Sequence, residues 1–293
     1  NTVPQQQSRT KMHPGVKWIG LGWTAFIAEN LILSENREVI IKHTSDSVYH
    51  NTYNVLSSAA CLSALYGYQK YGRGQGPRIA SAISLPVAMA GFLVTTGGIL
   101  VASQQLPALQ LPVELQLPFL SSSPAPSSTP STPGSHTASA PERGVVSEQV
   151  AQSAELVRAR CPINFAAQRP KHLPPDQPYG MERVTRHANL YAMGAIGLGL
   201  ALTTPFLTEA IFFAMPAVFA VIGSHHQDSR YRRGMGGKLS EERELQTSNL
   251  PFQALIQGRQ RWTDVWLELK GLNAGLGFAL SLLLFRRRLR LKK

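Results

Sequence analysis

The sequence has little cysteine and little acidic charge. Its two cysteines cannot form a disulfide framework, and they lack the spacing of a metal site. We predict that Cys61, in an apolar run, is a core residue, whereas Cys161 falls in a loop. No glycine-rich nucleotide loop, nucleophile triad or paired-carboxylate motif occurs. The sequence therefore gives no positive support to nucleotide-dependent or hydrolytic chemistry.

What the sequence does have is long apolar runs. Six of them are near the roughly 20 residues that a bilayer core requires, at 16–33, 51–69, 79–102, 188–203, 206–223 and 271–285. We therefore predict an all-α, polytopic transmembrane helix bundle of about six spans. A single buried helical domain in a soluble protein is the alternative, since the last three runs are short.

The basic excess fits this interpretation. There are 29 Lys and Arg residues against 17 Asp and Glu, a net charge of +12. In a soluble protein this would suggest nucleic acid. Beside apolar runs it is more simply explained by membrane flanks that meet anionic headgroups. We expect no nucleic-acid partner and expect bound lipids, including anionic lipids such as cardiolipin.

Composition within the runs predicts how they pack. Trp18 and Trp23 suit a membrane interface. Small residues favour close helix approach in lipid, and they dominate the second and third runs at Ser57, Ser58, Ala59, Ala60, Gly97 and Gly98. Thr204-Pro205 is a tight break between the fourth and fifth runs.

The segment 103–180 differs from the rest. Its Ser/Pro-rich part cannot bury a core, so we predict an extended extramembrane insert between spans three and four. The sequence "VVSEQVAQSAELVRAR", with Val146, Val150 and Val157, predicts a short amphipathic helix within it. The predicted domains are a polar tail at 1–14, three transmembrane helices at 15–102, the insert at 103–180, a C-terminal half at 181–285 and a basic tail at 286–293. The C-terminal half includes a polar loop at 224–268.

The two ends of the sequence predict location and orientation. A chain that begins with Asn1 is expected to have lost an import signal for a mitochondrion or plastid. An even number of spans puts both termini on one side. The C-terminal "RRRLRLKK" and Arg9, Lys11 and Lys17 favour the matrix or stroma for that side. We predict a multi-pass protein of the mitochondrial inner membrane, with a plastid thylakoid or envelope membrane as the alternative. The basic stretch 224–246 would then face the other side.

One polar segment could bind a metal or an anion. It contains His225, His226, Asp228 and Arg230. Adjacent histidines on a helix point about 100° apart, which makes a shared metal awkward. We favour a solvated loop in which Asp228 pairs with an arginine, and we predict no metal site.

Three motifs in order resemble the NnrU-like family, which includes bacterial NnrU proteins and the plastid 15-cis-zeta-carotene isomerase. They are "VTRHANLYAMGAIGL", "AVIGSHHQDSRYRR" and "TSNLPFQALIQGR". The resemblance is good over about 180–260 and weaker over about 15–100. It implies structural roles for the motif residues Arg186, Asp228, Arg230, Thr247, Ser248, Pro251, Phe252, Gly258 and Arg259. We expect the last motif to fold back on the bundle, with Pro251 fixing the chain direction, Phe252 buried and Arg259 paired with an acid or a helix end.

The resemblance also implies a haem b held by two histidines. His187 matches one of them, with Ala188 in place of the family's proline. The other should fall near Asn30, where the sequence has Glu29-Asn30. His43 and His50 lie too far along the chain to replace it. His187 could still ligate a five-coordinate haem, but the loss of the second ligand is an argument against catalysis.

Two functions follow from these observations. The first is an accessory, non-catalytic subunit of a large organellar energy-transducing complex. We expect it in a respiratory complex, with a photosynthetic complex second, where it would pack against core and other accessory subunits. No cofactor is expected in that case. The alternative is a haem-dependent carotenoid isomerase or redox protein. A lipid- or quinone-binding membrane protein without a partner complex is a third hypothesis.

Overall fold

The computed structural model describes residues 12–110, 113–115, 157–159, 163–164, 169–170, 173–174 and 176–290. The described chain is mostly helical, which confirms the all-α prediction. The helices are α1 (Pro14–Glu35), α2 (Arg37–His43), α3 (Asp46–Gly67), α4 (Leu85–Gln105), α5 (Ala188–Leu202), α6 (Leu207–Arg232), α7 (Glu241–Gln246), α8 (Gln253–Ile256), α9 (Trp262–Leu267) and α10 (Gly271–Arg290). A π-helical turn, Tyr68–Gly72, follows α3, and a 3-10 helix spans Gly180–Arg183.

Each of the six apolar runs forms a helix, with ends set by local signals. Ser45 caps α3 by accepting a hydrogen bond from Val48 N at 3.2 Å, so this helix begins before its apolar run. Pro86 in the first turn of α4 moves the start of the third helix from 79 to Leu85. The predicted break at Thr204-Pro205 separates α5 from α6.

The six long helices pack mainly in a single row. The order of neighbours is α3, α1, α6, α5, α4 and α10. Phe26 packs on Phe219, and Ser34 Oγ lies 2.7 Å from His226 Nε2, so α1 and α6 run parallel. The other neighbours in the row are antiparallel. The beginnings of α1 and α6 therefore share one end of the row with the C-terminus of α10, and we call this the terminal end.

Small residues allow the closest approaches in this row. A Cβ at Gly98 would lie 2.7 Å from Ile196 N and 2.8 Å from Ala192 O, so α4 and α5 touch backbone to backbone. Between α1 and α3, Gly22 lies against Ala64 in the same way. Of the predicted small residues, Ala60 is buried, but Ser58, Ala59 and Gly97 point away from neighbouring helices.

Two helices of the described residues, α4 and α6, are long and apolar enough to cross a membrane by length and composition. Their most apolar 18-residue stretches have only 28% and 17% of their residues buried, whereas the core helix of a soluble protein would be mostly buried. In α10, Leu282, Leu283 and Leu284 are all exposed, although successive helical residues point about 100° apart. The row thus presents apolar side chains on several sides.

The insert contains two small antiparallel strand pairs among its described residues. β1 (Ala108–Leu109) pairs with β4 (Ile163–Asn164), and β2 (Val113–Leu115) pairs with β3 (Val157–Ala159). The chain is therefore extended at Ala108–Leu109 and Val113–Leu115, at the beginning of the insert. Val157 lies in a strand, so the predicted amphipathic helix is wrong at its end, while Val146, Val150 and the Ser/Pro-rich part lie outside the described residues.

Two further predictions were wrong. The polar loop at 224–268 does not begin at 224, because α6 continues to Arg232 and carries His225, His226, Asp228 and Arg230 on a helix. The rest of that segment contains α7, α8 and α9. Cys61 is exposed rather than in the core, because it lies on the side of α3 that faces away from α1.

The two adjacent glycines of α4 provide a matched test of the row. We expect Gly98→Ala to lower the free energy of unfolding by about 1–3 kcal/mol, because its Cβ would collide with backbone atoms of α5. Gly97→Ala should be neutral or stabilising by up to about 1 kcal/mol, since a Cβ there meets nothing within 4 Å among described atoms. Thermal unfolding followed by circular dichroism in mild detergent measures both. Equal effects at the two positions would contradict this packing.

Candidate functional site: a buried carboxylate network

The motif residues meet around one carboxylate at the end of the row opposite to the termini. Asp228 lies in the last turns of α6 and is 4% exposed. Arg186 Nη2 donates a hydrogen bond to its Oδ2 at 2.6 Å, and Asn249 Nδ2 donates to the same oxygen at 2.9 Å. His187 Nε2 lies 2.7 Å from its Oδ1. The side chains of Arg186 and His187 are only 8% and 6% exposed.

A second layer of hydrogen bonds fixes Asn249. Its Oδ1 accepts from Tyr191 Oη at 2.9 Å and from Ser224 Oγ at 3.0 Å. Arg186 Nη1 donates to Thr247 Oγ1 at 3.1 Å. We call Arg186, His187, Tyr191, Ser224, Asp228, Thr247 and Asn249 the Asp228 network. It joins the start of α5, the end of α6 and the segment 247–249.

The network explains why helix α6 continues through the polar stretch that follows its apolar run. A buried carboxylate is costly unless hydrogen bonds and opposite charge compensate it. Asp228 has both, so α6 continues past its apolar part instead of ending in a loop. The predicted pairing of Asp228 with an arginine is present, but the partner is Arg186 and the pair is buried rather than solvated.

The third motif folds back on the bundle, as the sequence predicts. Phe252 N donates to Val184 O at 2.9 Å, and Ser248 Oγ accepts from Ala254 N at 3.1 Å at the start of α8. Arg259 Nη1 donates to Leu245 O at 2.8 Å and Thr247 O at 2.7 Å, which are carbonyls at the end of α7. Gly258 has φ 72°, a turn conformation that glycine adopts freely, and Pro251 lies in the preceding turn.

Phe252 is not buried, contrary to the prediction. Its side chain is 44% exposed and stacks on Trp262 with ring centroids 6.1 Å apart. Its φ of 64° is in the left-handed region, which a phenylalanine rarely adopts. The hydrogen bond from its N–H to Val184 holds this conformation, in which the ring lies on Trp262 at the start of α9.

The remaining candidates do not converge on the network. His225 is exposed, whereas His226 packs on α1 beside Ser34, as expected for adjacent helical residues. The Nε and Nη2 atoms of Arg230 are buried without a hydrogen-bond partner among the described residues. His50 Nε2 lies 3.4 Å from Asp46 Oδ2 at an exposed position of α3. No group of three or more His, Cys, Asp or Glu side chains that could hold a metal occurs in the described part of the chain.

An ion pair beside the network holds the segment that leads into α10. Arg183 Nε donates to Glu268 Oε2 at 2.9 Å, and its Nη2 donates to Glu268 Oε1 at 2.7 Å. These hydrogen bonds raise the pKa of the Arg183 guanidinium above its ordinary value. The 3-10 helix is thereby fixed to the chain that leads into α10.

The residues around His187 do not fit a haem clamped between two helices. Its Nε2 is taken by Asp228. Asn30 lies on α1, on the far side of α6, and accepts a hydrogen bond from Tyr53. Charged and amide side chains, among them Arg186, Glu268, Lys270 and Gln104, form much of the wall of the cavity beside His187. A porphyrin suits a predominantly apolar pocket.

No protein-family model matches this chain, and no curated protein or solved structure matches it either. The resemblance to the NnrU-like family therefore remains a prediction from the three motifs.

Sequence reasoning missed four residues of this site: Thr185, Tyr191, Ser224 and Asn249. Thr185 Oγ1 donates to Asn249 O and is 1% exposed. A signal for two of them was present, since Tyr191 lies four residues after His187 and Ser224 four residues before Asp228. Residues four apart share a helix face. For Ser224, that signal required knowing that α6 continues beyond its apolar part.

The network predicts a large effect of Asp228→Asn. We expect the free energy of unfolding to fall by about 3–5 kcal/mol, because the change leaves Arg186 as a buried, unpaired charge. Arg233→Gln is the matched control, since it breaks an ion pair with Glu35 at the same end whose two side chains are 46% and 37% exposed. Chemical or thermal unfolding in detergent compares the two. A control variant as unstable as Asp228→Asn would contradict a special role for the buried network.

Proposed function

We propose that this chain is a multi-pass membrane protein that acts as an accessory, non-catalytic subunit of a large organellar energy-transducing complex. The observation that carries the proposal is the single row of six helices with apolar residues exposed on several sides. A row of this kind encloses little of its own surface. It gains stability when lipid or another membrane protein covers its faces.

The row supports a membrane crossing by all six long helices. α5 has 15 residues and is about 22 Å long at 1.5 Å per residue, shorter than a bilayer core. It packs between α4 and α6, the two helices that meet the criteria for a span. If those two helices cross, α5 crosses with them. In α1 and α3, Glu29 and Asn30 form hydrogen bonds with Ser57 and Tyr53, so part of their polar character is satisfied within the pair.

The charges of the terminal end support an orientation. The basic side chains there are Lys17, Lys70, Arg73, Arg78, Arg286 and Arg287. Glu209 is the acidic residue at that end in the described part of the chain, and it accepts a hydrogen bond from Gly74 N. The terminal end would face the matrix or stroma under the positive-inside rule.

Ion pairing weakens the argument that the basic stretch at the opposite end makes against that orientation. Three of its four arginines pair with acids: Arg232 with Glu244, Arg233 with Glu35 and Arg243 with Glu182. The hydrogen bonds from Arg232 hold the pKa of Glu244 below its ordinary value. Charges compensated in this way contribute less to an orientation bias than the solvated cations of the terminal end.

A structural role fits the Asp228 network better than a catalytic one. Both carboxylate oxygens of Asp228 are engaged, and Asn249 is fixed by three hydrogen bonds between side chains. The groups of the network thus satisfy one another across three segments. The proposed complex is a respiratory one in the mitochondrial inner membrane, with a thylakoid complex second. Its core and accessory subunits would cover the exposed helix faces.

A haem-dependent isomerase is the weaker alternative. It rests on the NnrU-like motifs and on His187, and it would require a polar, charged cavity to accept a porphyrin. A haem absorption band in the purified protein, lost in His187→Ala, would restore it.

The native size of the protein tests the proposed function. After mild detergent extraction from its own membrane, we expect the chain to migrate in an assembly several times larger than its own 32.0 kDa. Mass spectrometry of that band should identify respiratory core subunits. A harsher detergent that dissociates such complexes is the control. Migration as a lone monomer or small homo-oligomer under mild conditions would defeat the proposal.

The orientation predicts which residues react from which side. In a background with both cysteines replaced by serine, Gln75→Cys places a thiol at the terminal end and Lys238→Cys places one at the opposite end, both at exposed positions. A membrane-impermeant maleimide added to intact mitoplasts should label Lys238→Cys. Gln75→Cys should be labelled only after permeabilisation, because its end faces the matrix. The reverse pattern would contradict the orientation.

A further inference from the structure

A polar cavity of about 460 Å³ lies beside the Asp228 network at the end of the row opposite to the termini. Gln104 and Gln105 at the end of α4 form one wall, and the beginning of α5 forms another. Lys270, just before α10, closes a third side. The cavity is therefore level with the end of α4, one of the two helices suited to cross a membrane.

The beginning of α5 supplies free hydrogen-bond donors to this cavity. Ala188, Asn189 and Leu190 line it and are the first three residues of the 15-residue helix. No side chain caps this helix, and His187 N bonds to Thr185 instead. The N–H groups of a first turn have no partner within the helix, and together with the helix dipole they favour an anion.

Arg186 provides a second and independent sign of a ligand. Its side chain is 8% exposed and lines the cavity. Its Nη atoms are used by Asp228 and Thr247, but its Nε–H is buried without an acceptor among the described residues. A buried donor without an acceptor costs about 1–3 kcal/mol, so an acceptor supplied by a ligand would remove a penalty.

Lys270 adds positive charge on the other side. Its Nζ donates to Gln104 O at 2.9 Å and Leu106 O at 2.7 Å, two acceptors for three N–H donors. Burial lowers the pKa of this amine from its ordinary value, and a bound anion would oppose that effect.

The acidic residues of the cavity wall are already neutralised. Glu268 accepts two hydrogen bonds from Arg183, and Glu182 pairs with Arg243 at 2.8 Å and with Arg169 at 3.5 Å. Asp228 lies behind Arg186 and His187. Lys270 and the first turn of α5 therefore determine the local charge preference. The charge of Arg186 is balanced by Asp228, and this residue contributes its unpaired Nε–H.

We propose that this cavity binds a phosphate group through the first-turn N–H groups of α5, Arg186 Nε and Lys270. The phosphate can belong to the headgroup of an anionic phospholipid, because the cavity is level with the end of a membrane-suited helix. It can equally be free in solution. The site is independent of which complex, if any, the protein joins.

Asn189→Asp is the decisive variant. Asn189 is exposed at the start of α5, so an aspartate there suits the helix dipole and should leave the fold intact. Its charge would repel a bound phosphate. Asn51→Asp makes the same change at an exposed position of α3 outside the cavity and is the control. Lys270→Gln is a second variant that removes charge rather than adding it.

Calorimetric titration of the purified protein with inorganic phosphate, at constant ionic strength, measures the affinity for free phosphate. We expect Asn189→Asp to weaken binding by about tenfold or more through like-charge repulsion. Lys270→Gln should weaken it severalfold and Asn51→Asp should leave it unchanged. Native mass spectrometry of protein released from nanodiscs of phosphatidylcholine with phosphatidylglycerol tests binding of a lipid headgroup. We expect the wild type to retain phosphatidylglycerol and Asn189→Asp to lose it.

The outcomes distinguish binding of free phosphate, binding of a lipid headgroup, and the absence of a phosphate site. Phosphate binding without retained lipid assigns the site to free phosphate. Retained phosphatidylglycerol assigns it to a lipid headgroup. No binding of either probe to the wild type would overturn the proposal, as would equal effects of Asn189→Asp and Asn51→Asp in protein that unfolds at the wild-type temperature.

Discussion

The buried carboxylate of Asp228 is the constraint on which the end of the row opposite to the termini depends. An ionised group can be taken out of water only where charge and hydrogen bonds replace its hydration. Arg186, His187 and Asn249 supply them, and these residues lie 42, 41 and 21 positions from Asp228 in the sequence. The start of α5 and the segment after α7 are thereby held against the end of α6. The positions of α8 and α9 follow from that attachment.

The two ends of the row differ in how their charged side chains are compensated. At the terminal end, short connections such as 203–206 return the chain while basic side chains remain in water. At the opposite end, acids and bases pair, so this end can hold a folded cap with little net charge. The apolar middle has neither kind of compensation, and many of its large apolar side chains are exposed.

Helix positions were predictable because the apolar runs are long and their ends carry local signals. Pro86, Ser45 and Thr204-Pro205 act through the backbone within a few residues, so their effect can be derived without knowing the fold. The extension of α6 to Arg232 could not be derived in this way. Its polar residues resemble a solvated loop until Arg186 is known to lie beside Asp228. The exposure of Phe252 likewise depends on Val184, which holds its backbone N–H.

The sequence by itself determined an all-helical protein, the places of its long helices, and the three motifs that meet at one site. These properties depend on the periodicity and composition of neighbouring residues. Only the tertiary structure decided that the helices form a row, that Gly98 rather than Gly97 touches its neighbour, and that Asp228 is buried. Those properties depend on which sides of distant segments face each other. A single sequence does not specify that pairing, because many arrangements of the same apolar helices satisfy the same local rules.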